Sequence, residues 1–178
     1  MPAYLLFDPL LGLDPVLAAR LGRLGDKRPL LAEIGEHLKT TTDERFDTQT
    51  APDGTAWAPL SPVTLGLAYR MKGRRVFKKG KGGVRTVTAG FARYRASKQM
   101  LRESGLMRRS IAPRVSGDSV SLGSSRIYAA IQQLGGKAGR NLKVDIPARP
   151  FVGLSENDRS VVREMIVAFV ADRLGAEG

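Results

Sequence analysis

Apolar residues recur at helical spacing near both ends of the chain, while the middle alternates or loses its period. Asp14 and Pro15 supply an N-cap and a first-turn proline, and Val16, Leu17, Leu21 and Leu24 then recur up to Gly25, which predicts a short amphipathic helix. Pro29 opens a second helix, predicted to reach about Thr48, with Leu30, Leu31, Ile34, Leu38 and Phe46 on or near one stripe. Thr40, Thr41 and Thr42 are poor helix formers and leave room for a frayed or kinked middle. At the other end, Ser155 and Asp158 form a start resembling a capping box. The helix they open carries Val161, Val162, Met165, Ile166, Phe169, Val170 and Leu174.

Shorter patterns predict strands. Ala3 to Phe7 is an apolar run ended by Asp8-Pro9. Ile111 to Val115, a turn at Ser116-Gly117-Asp118, and Ser119 to Gly123 predict a β-hairpin, with Pro113 confining its strand to an edge because proline has no amide donor. Leu101 to Arg109 allows a turn of helix around Ser104-Gly105, and Ile127 to Leu134 predicts a helical turn or two ended by Gly135-Gly136. Val144-Asp145-Ile146 reads as a short strand before Pro147-Ala148-Arg149-Pro150-Phe151, a strap stiffened by two prolines. Between the helical start and these strands, Pro52-Asp53-Gly54 predicts a tight turn, and Trp57, the only tryptophan, follows it as a core seal or a partner platform. The elements add up to an α+β fold. Its N-terminal helices and C-terminal helix pack on a small antiparallel sheet, in one domain over residues 1–178.

Charge changes the picture in one region. The chain has 29 Lys and Arg against 17 Asp and Glu, a net +12 that favours nucleic acid or acidic protein surfaces as partners. From Gly54 to Arg102 there is no acidic residue, while Arg70, Lys72, Arg74, Arg75, Lys78, Lys79, Lys81, Arg85, Arg93, Arg95, Lys98 and Arg102 accumulate among glycines. This predicts a long basic loop or hairpin arm inserted at about 66–100, with Val84 to Thr88 as one leg. Arg70, Lys72, Arg74, Arg75, Lys78, Lys79, Lys81 and Arg85 are its candidate contacts to DNA or an acidic partner, and Tyr69, Phe77, Phe91 and Tyr94 are rings that could stack on bases.

The inventory for catalysis is poor. There is no cysteine, so neither a disulfide framework nor a thiolate metal site can form, and the cytoplasm is the default compartment. His37, the only histidine, is expected to be solvated or capping. Asp43, Glu44, Asp47, Asp53, Glu103, Asp118 and Asp145 have no known metal spacing, and phosphate cradles, nucleophile elbows and zinc-protease motifs are missing. The sequence therefore predicts no enzyme, cofactor or metal. Asp8, Pro9, Asp14 and Pro15 interrupt the apolar N-terminus, which reads as neither signal peptide nor membrane span.

Four motifs in register carry a family resemblance. Arg45 to Pro62, Leu101-Arg102-Glu103-Ser104-Gly105-Leu106 with Ser110-Ile111, Tyr128 to Gly136, and Ile146-Pro147-Ala148-Arg149-Pro150-Phe151-Val152-Gly153-Leu154-Ser155 are similar, in this order, to segments of the phage virion morphogenesis family, the tail completion proteins of Mu-like and P2-like contractile-tailed phages. Gln132 or Gln133 stands where the family commonly has histidine, and residues 66–100 are longer than usual. The resemblance implies a structural virion protein, made in the host cytoplasm, that completes the head-proximal end of the tail and helps join it to the filled head. It further implies a homo-oligomeric ring in the neck, sixfold by analogy with the tail tube, with connector, tail tube or tail terminator proteins and passing genomic DNA as partners. Under that reading Trp57, Arg108, Arg109, Arg149 and Phe151 are candidate contacts between subunits or to partners, the arginines through carboxylates. Ion pairs within one subunit are an equal alternative for them. The alternative function is a basic packaging or assembly factor that binds nucleic acid.

Overall fold

A computed structural model describes residues 3–7, 15–79, 85–102 and 104–175. The architecture is α+β. A three-stranded antiparallel sheet has β5 (Ser119–Ser124) at its centre, flanked by β1 (Ala3–Phe7) and β4 (Ile111–Ser116). β4 and β5 form the hairpin expected from Ser116-Gly117-Asp118, and Pro113 lies on the edge strand, where its missing amide breaks no ladder bond. Pairing of β1 with β5 runs from Ala3 opposite Ser124 to Phe7 opposite Val120.

The helix α2 (Arg28–Thr48) lies on this sheet and is the axis of the molecule. One side packs on β4 and β5; another packs along α7 (Glu156–Gly175), which also touches α1 (Pro15–Arg23). The C-terminal helix thus reaches the sheet layer mainly through α2. Leu30, Leu31, Ile34, Leu38 and Phe46 of α2 meet Ile111, Val120 and Leu122 of the sheet and Val162, Ile166 and Val170 of α7 in one buried cluster. Gly35 permits the close approach, since a Cβ there would lie 2.7 Å from the Pro113 Cβ. At the start of α2, the Lys27 ammonium is buried and pairs with Asp118 in the hairpin turn at 3.0 Å.

The threonine run does not interrupt α2. Thr40 and Thr41 donate their hydroxyls to the carbonyls of Glu36 and Leu38, and Thr42 is fully buried, so local bonds and packing override weak propensity. The helix ends at Gln49, held left-handed at φ 61°, whose side chain donates to Phe46 O and accepts the Met100 amide. The turn at 51–54 then closes with Gly54 N–H bonded to Ala51 O, and Asp53 accepts both the amide and the hydroxyl of Thr55.

The middle of the chain departs from the expected loop. Two helices frame it: α3 (Pro62–Met71), capped by Ser61, and α4 (Ala89–Ser97), capped by Thr88. Between them β2 (Phe77–Lys79) pairs with β3 (Arg85–Val87), which realises the predicted hairpin leg. Leu65, Tyr69, Val76 and Phe91 close a second, separate apolar cluster. Glycines and like charges had hidden the helices. Their caps, Ser61 before Pro62 and Thr88 before Ala89, were the available signal.

After α5 (Leu106–Arg109) and the hairpin, α6 (Ala129–Leu134) packs near β1, and β6 (Gly136–Ala138) pairs with β7 (Val144–Ile146). Among the described residues no helix is long and apolar enough to cross a membrane.

Candidate functional site

The strap at 147–154 is held from four directions. Arg149 donates Nε–H to Ala58 O at 2.7 Å and Nη2–H to Pro59 O at 3.2 Å, while its own amide donates to Gln132 O at 2.7 Å. Gln133 accepts the amides of Phe151 and Val152 through Oε1 and returns a bond to Val152 O through Nε2. From the other side, the Trp57 indole N–H donates to Pro150 O at 2.7 Å, and Arg45 donates Nη1–H to Phe151 O and Gly153 O. The two prolines remove two amides from the strap, and side chains from 45, 57 and 133 satisfy its carbonyls while Gln132 accepts from Arg149. Gly153 fits tightly over Pro52, where a Cβ would approach to 2.5 Å.

Beneath the strap lies a buried charge pair. Arg45 Nη2–H bonds Asp158 Oδ2, the same oxygen that accepts the amide and hydroxyl of Ser155, and Ser155 Oγ accepts the Asp158 amide in return. This is the predicted capping box with an added role. Burial alone would push the Asp158 carboxyl up, but the Ser155 donors, Arg45 and Thr41 together hold it below its ordinary value. His37, expected to be solvated or capping, instead sits with Nε2 3.3 Å from Asp158 Oδ1 and is mostly buried. The helical register brings His37 and Arg45 onto the α7 side of α2, two turns apart, a juxtaposition no local motif announces.

Trp57, Phe151 and Arg149, expected among the contacts between subunits, are interior residues: 4, 0 and 3% exposed. Phe46 packs between the two aromatic ones, 5.4 Å from Trp57 edge-on and 5.6 Å from Phe151. Burial lowers the Arg149 pKa, and among the described residues its guanidinium meets oxygens of Ala58, Pro59 and Gln132 and no carboxylate. This fold by itself takes those three side chains out of solvent. Arg108 is committed to ion pairs within the subunit, at 3.0 Å to Asp43 and 2.9 Å to Asp47, and Arg102 joins Asp47 at 2.8 Å. The hydrogen bonds from Arg108 hold the Asp47 carboxyl below its ordinary value. Arg109 is exposed and, among the described residues, donates to the Ser104 carbonyl, so it alone of the five stays presented to solvent.

In the basic module Arg70, Lys72, Arg74, Arg75, Lys78, Lys79 and Arg85 are all exposed, while Lys81 lies outside the described residues. The rings proposed for stacking on bases divide. Tyr69 and Phe91 are buried against each other at 5.3 Å, and Tyr94 packs on Tyr69 at 5.1 Å, covered by Lys72 and Lys98 on its face. Those three rings build the module, and Phe77 on the hairpin is the one left open to solvent. No group of three His, Asp or Glu side chains among the described residues is arranged to hold a metal ion.

The clamped strap, the helical axis beneath it and the cationic module belong to a chain whose kind the sequence comparisons name. The chain belongs to the phage virion morphogenesis family, whose model matches residues 10–97 and 85–171; the two matches overlap within the basic module. One curated relative is the tail completion protein S of Escherichia phage P2, 30% identical over 147 residues, covering 80% of this chain and 83% of that protein. Another is the Mu-like prophage FluMu G protein 2 of Haemophilus influenzae, 46% identical over 57 residues, which span 32% of this chain and 41% of that protein. No solved structure matches the chain.

Proposed function

We propose that this protein is a noncatalytic virion component that completes the head-proximal end of a contractile phage tail and helps join it to the DNA-filled head, as one domain bearing the basic module. The observation that carries this reading is the similarity to the P2 tail completion protein over four fifths of both chains. The strap motif supports it physically. Its Arg149 and Phe151 are buried and its carbonyls are bonded by Arg45, Trp57 and Gln133, as suits a subunit that must hold shape in an assembly. A homo-oligomeric ring in the neck, contacting connector and tail tube or terminator proteins, fits this reading, with Arg109 and the module as the exposed surfaces available to neighbours. Phage lacking the protein are expected to accumulate filled heads and separate tails, counted by electron microscopy; normal infectious particles would refute the proposal.

The charge distribution favours a second reading, in which the module holds nucleic acid during packaging or lines a channel for passing DNA. Duplex DNA affinity is expected to fall steeply with salt. Neutralising Arg74, Arg75, Lys78 and Lys79 should flatten the slope of log affinity against log salt by roughly one for each phosphate left without its cation. Unchanged affinity in that fourfold variant would dispose of the reading.

A further inference from the structure

The helix α3 is apolar on two opposite sides. At about 100° per residue, Leu65 and Tyr69 project to one side, where they are buried against the module's own cluster. Val63, Leu67 and Met71, spaced i, i+4 and i+8, project to the other, where they are 71, 56 and 88% exposed. A helix that is apolar all round belongs to an interior, and a row at four-residue spacing is the kind of ridge that seats in the groove of another helix. In the same module Phe77 and Val87 form a cross-strand pair that is also half open.

Charge decides what covers the row. The twelve Lys and Arg between 54 and 102 equal the whole net charge, so the remaining residues balance at seventeen basic and seventeen acidic. A duplex presents phosphates and polar base edges, with only scattered thymine methyls to meet Leu67 and Met71. A second copy offers a neutral body, and among the described residues its three most exposed large apolar ones outside the module, Ile127, Leu134 and Leu142, fall in a stretch, 126–144, with four cations and no carboxylate. Docking that stretch on the module would bring like charges together. We infer that the Val63–Leu67–Met71 row receives the apolar face of an acidic amphipathic helix from a different protein, with the flanking cations holding the carboxylates beside it. This holds wherever in the particle the chain sits.

The test uses the full chain and two labelled Glu/Leu peptides of one composition, one with leucines at helical spacing and one scrambled, followed by fluorescence anisotropy. The amphipathic peptide is expected to bind at least about tenfold tighter than the scrambled one. Leu67→Gln with Met71→Gln keeps the charge and should abolish that difference, with an unchanged circular dichroism spectrum showing that the fold is intact. Equal binding of the two peptides, or a preference that survives the double substitution, would overturn the inference. So would sedimentation showing an oligomer of this chain that the same substitution dissociates, because a second copy would then cover the row. A loss of affinity for a short duplex DNA in the variant, with peptide binding intact, would overturn it in favour of nucleic acid.

Discussion

Asp158→Asn is expected to lower folding stability by about 3–5 kcal/mol, measured by urea denaturation followed through the fluorescence of Trp57. The carboxylate is fully buried and accepts from Arg45 and Ser155 at once. The amide keeps the size but removes the charge, so Arg45, itself 6% exposed, is left as an uncompensated buried cation. Arg45→Met leaves the converse defect and also frees the carbonyls of Phe151 and Gly153. The double variant should cost less than the sum of the two, because the second change removes a charge the first has already stranded. Additive losses would mean that the two groups act separately. The pair also sets an acid limit. Because the folded Asp158 pKa lies below its ordinary value, its contribution is complete above the usual carboxylate range, near pH ~4, and is lost as pH falls through the lower folded value. Asp158→Asn should lack that part of the acid dependence.

Trp57→Ala is expected to cost a similar amount, about 3–5 kcal/mol, measured by circular dichroism because the lone tryptophan is removed. The indole is buried edge-on to Phe46 and holds Pro150 of the strap. Its loss opens a cavity beside Phe46 and leaves a strap carbonyl unbonded. Trp57→Phe keeps most of the ring contact and forfeits the hydrogen bond, for a smaller loss of about 1–3 kcal/mol. A Trp57→Ala protein of undiminished stability that failed only in particle assembly would instead place this residue at a contact between subunits.

These two sites show how differently residues yield to reading. The hairpin at 111–124, its edge proline, the Ser155 cap and the turn at 52–54 rest on short-range rules, and each formed as its own residues dictate. Trp57 could be recognised as a core seal or a platform but not assigned to either, because both use the same local sequence. Arg149 and Phe151 stood out through their motif, and their inward direction depends on Gln132, Gln133 and Ala58, which lie far from them along the chain. The helices α3 and α4 are obscured in the sequence because glycines and like charges break the period between the caps at Ser61 and Thr88, and because their apolar residues bury mainly against one another.

By itself the sequence determined the fold class, the span of α2, the start of α7, the presence of the hairpin and the location of the positive charge, since each follows from periodicity, capping or composition over a few residues; the pairing of Ser116 with Ser119 was set only in the folded hairpin. The tertiary structure alone decided that Arg45, His37 and Asp158 share one buried site and that the strap is clamped inward. It also decided that one face of α3 stays uncovered. Such facts depend on which surfaces meet when α7 and the strap close over α2, and contacts made across a hundred residues leave no period in the chain.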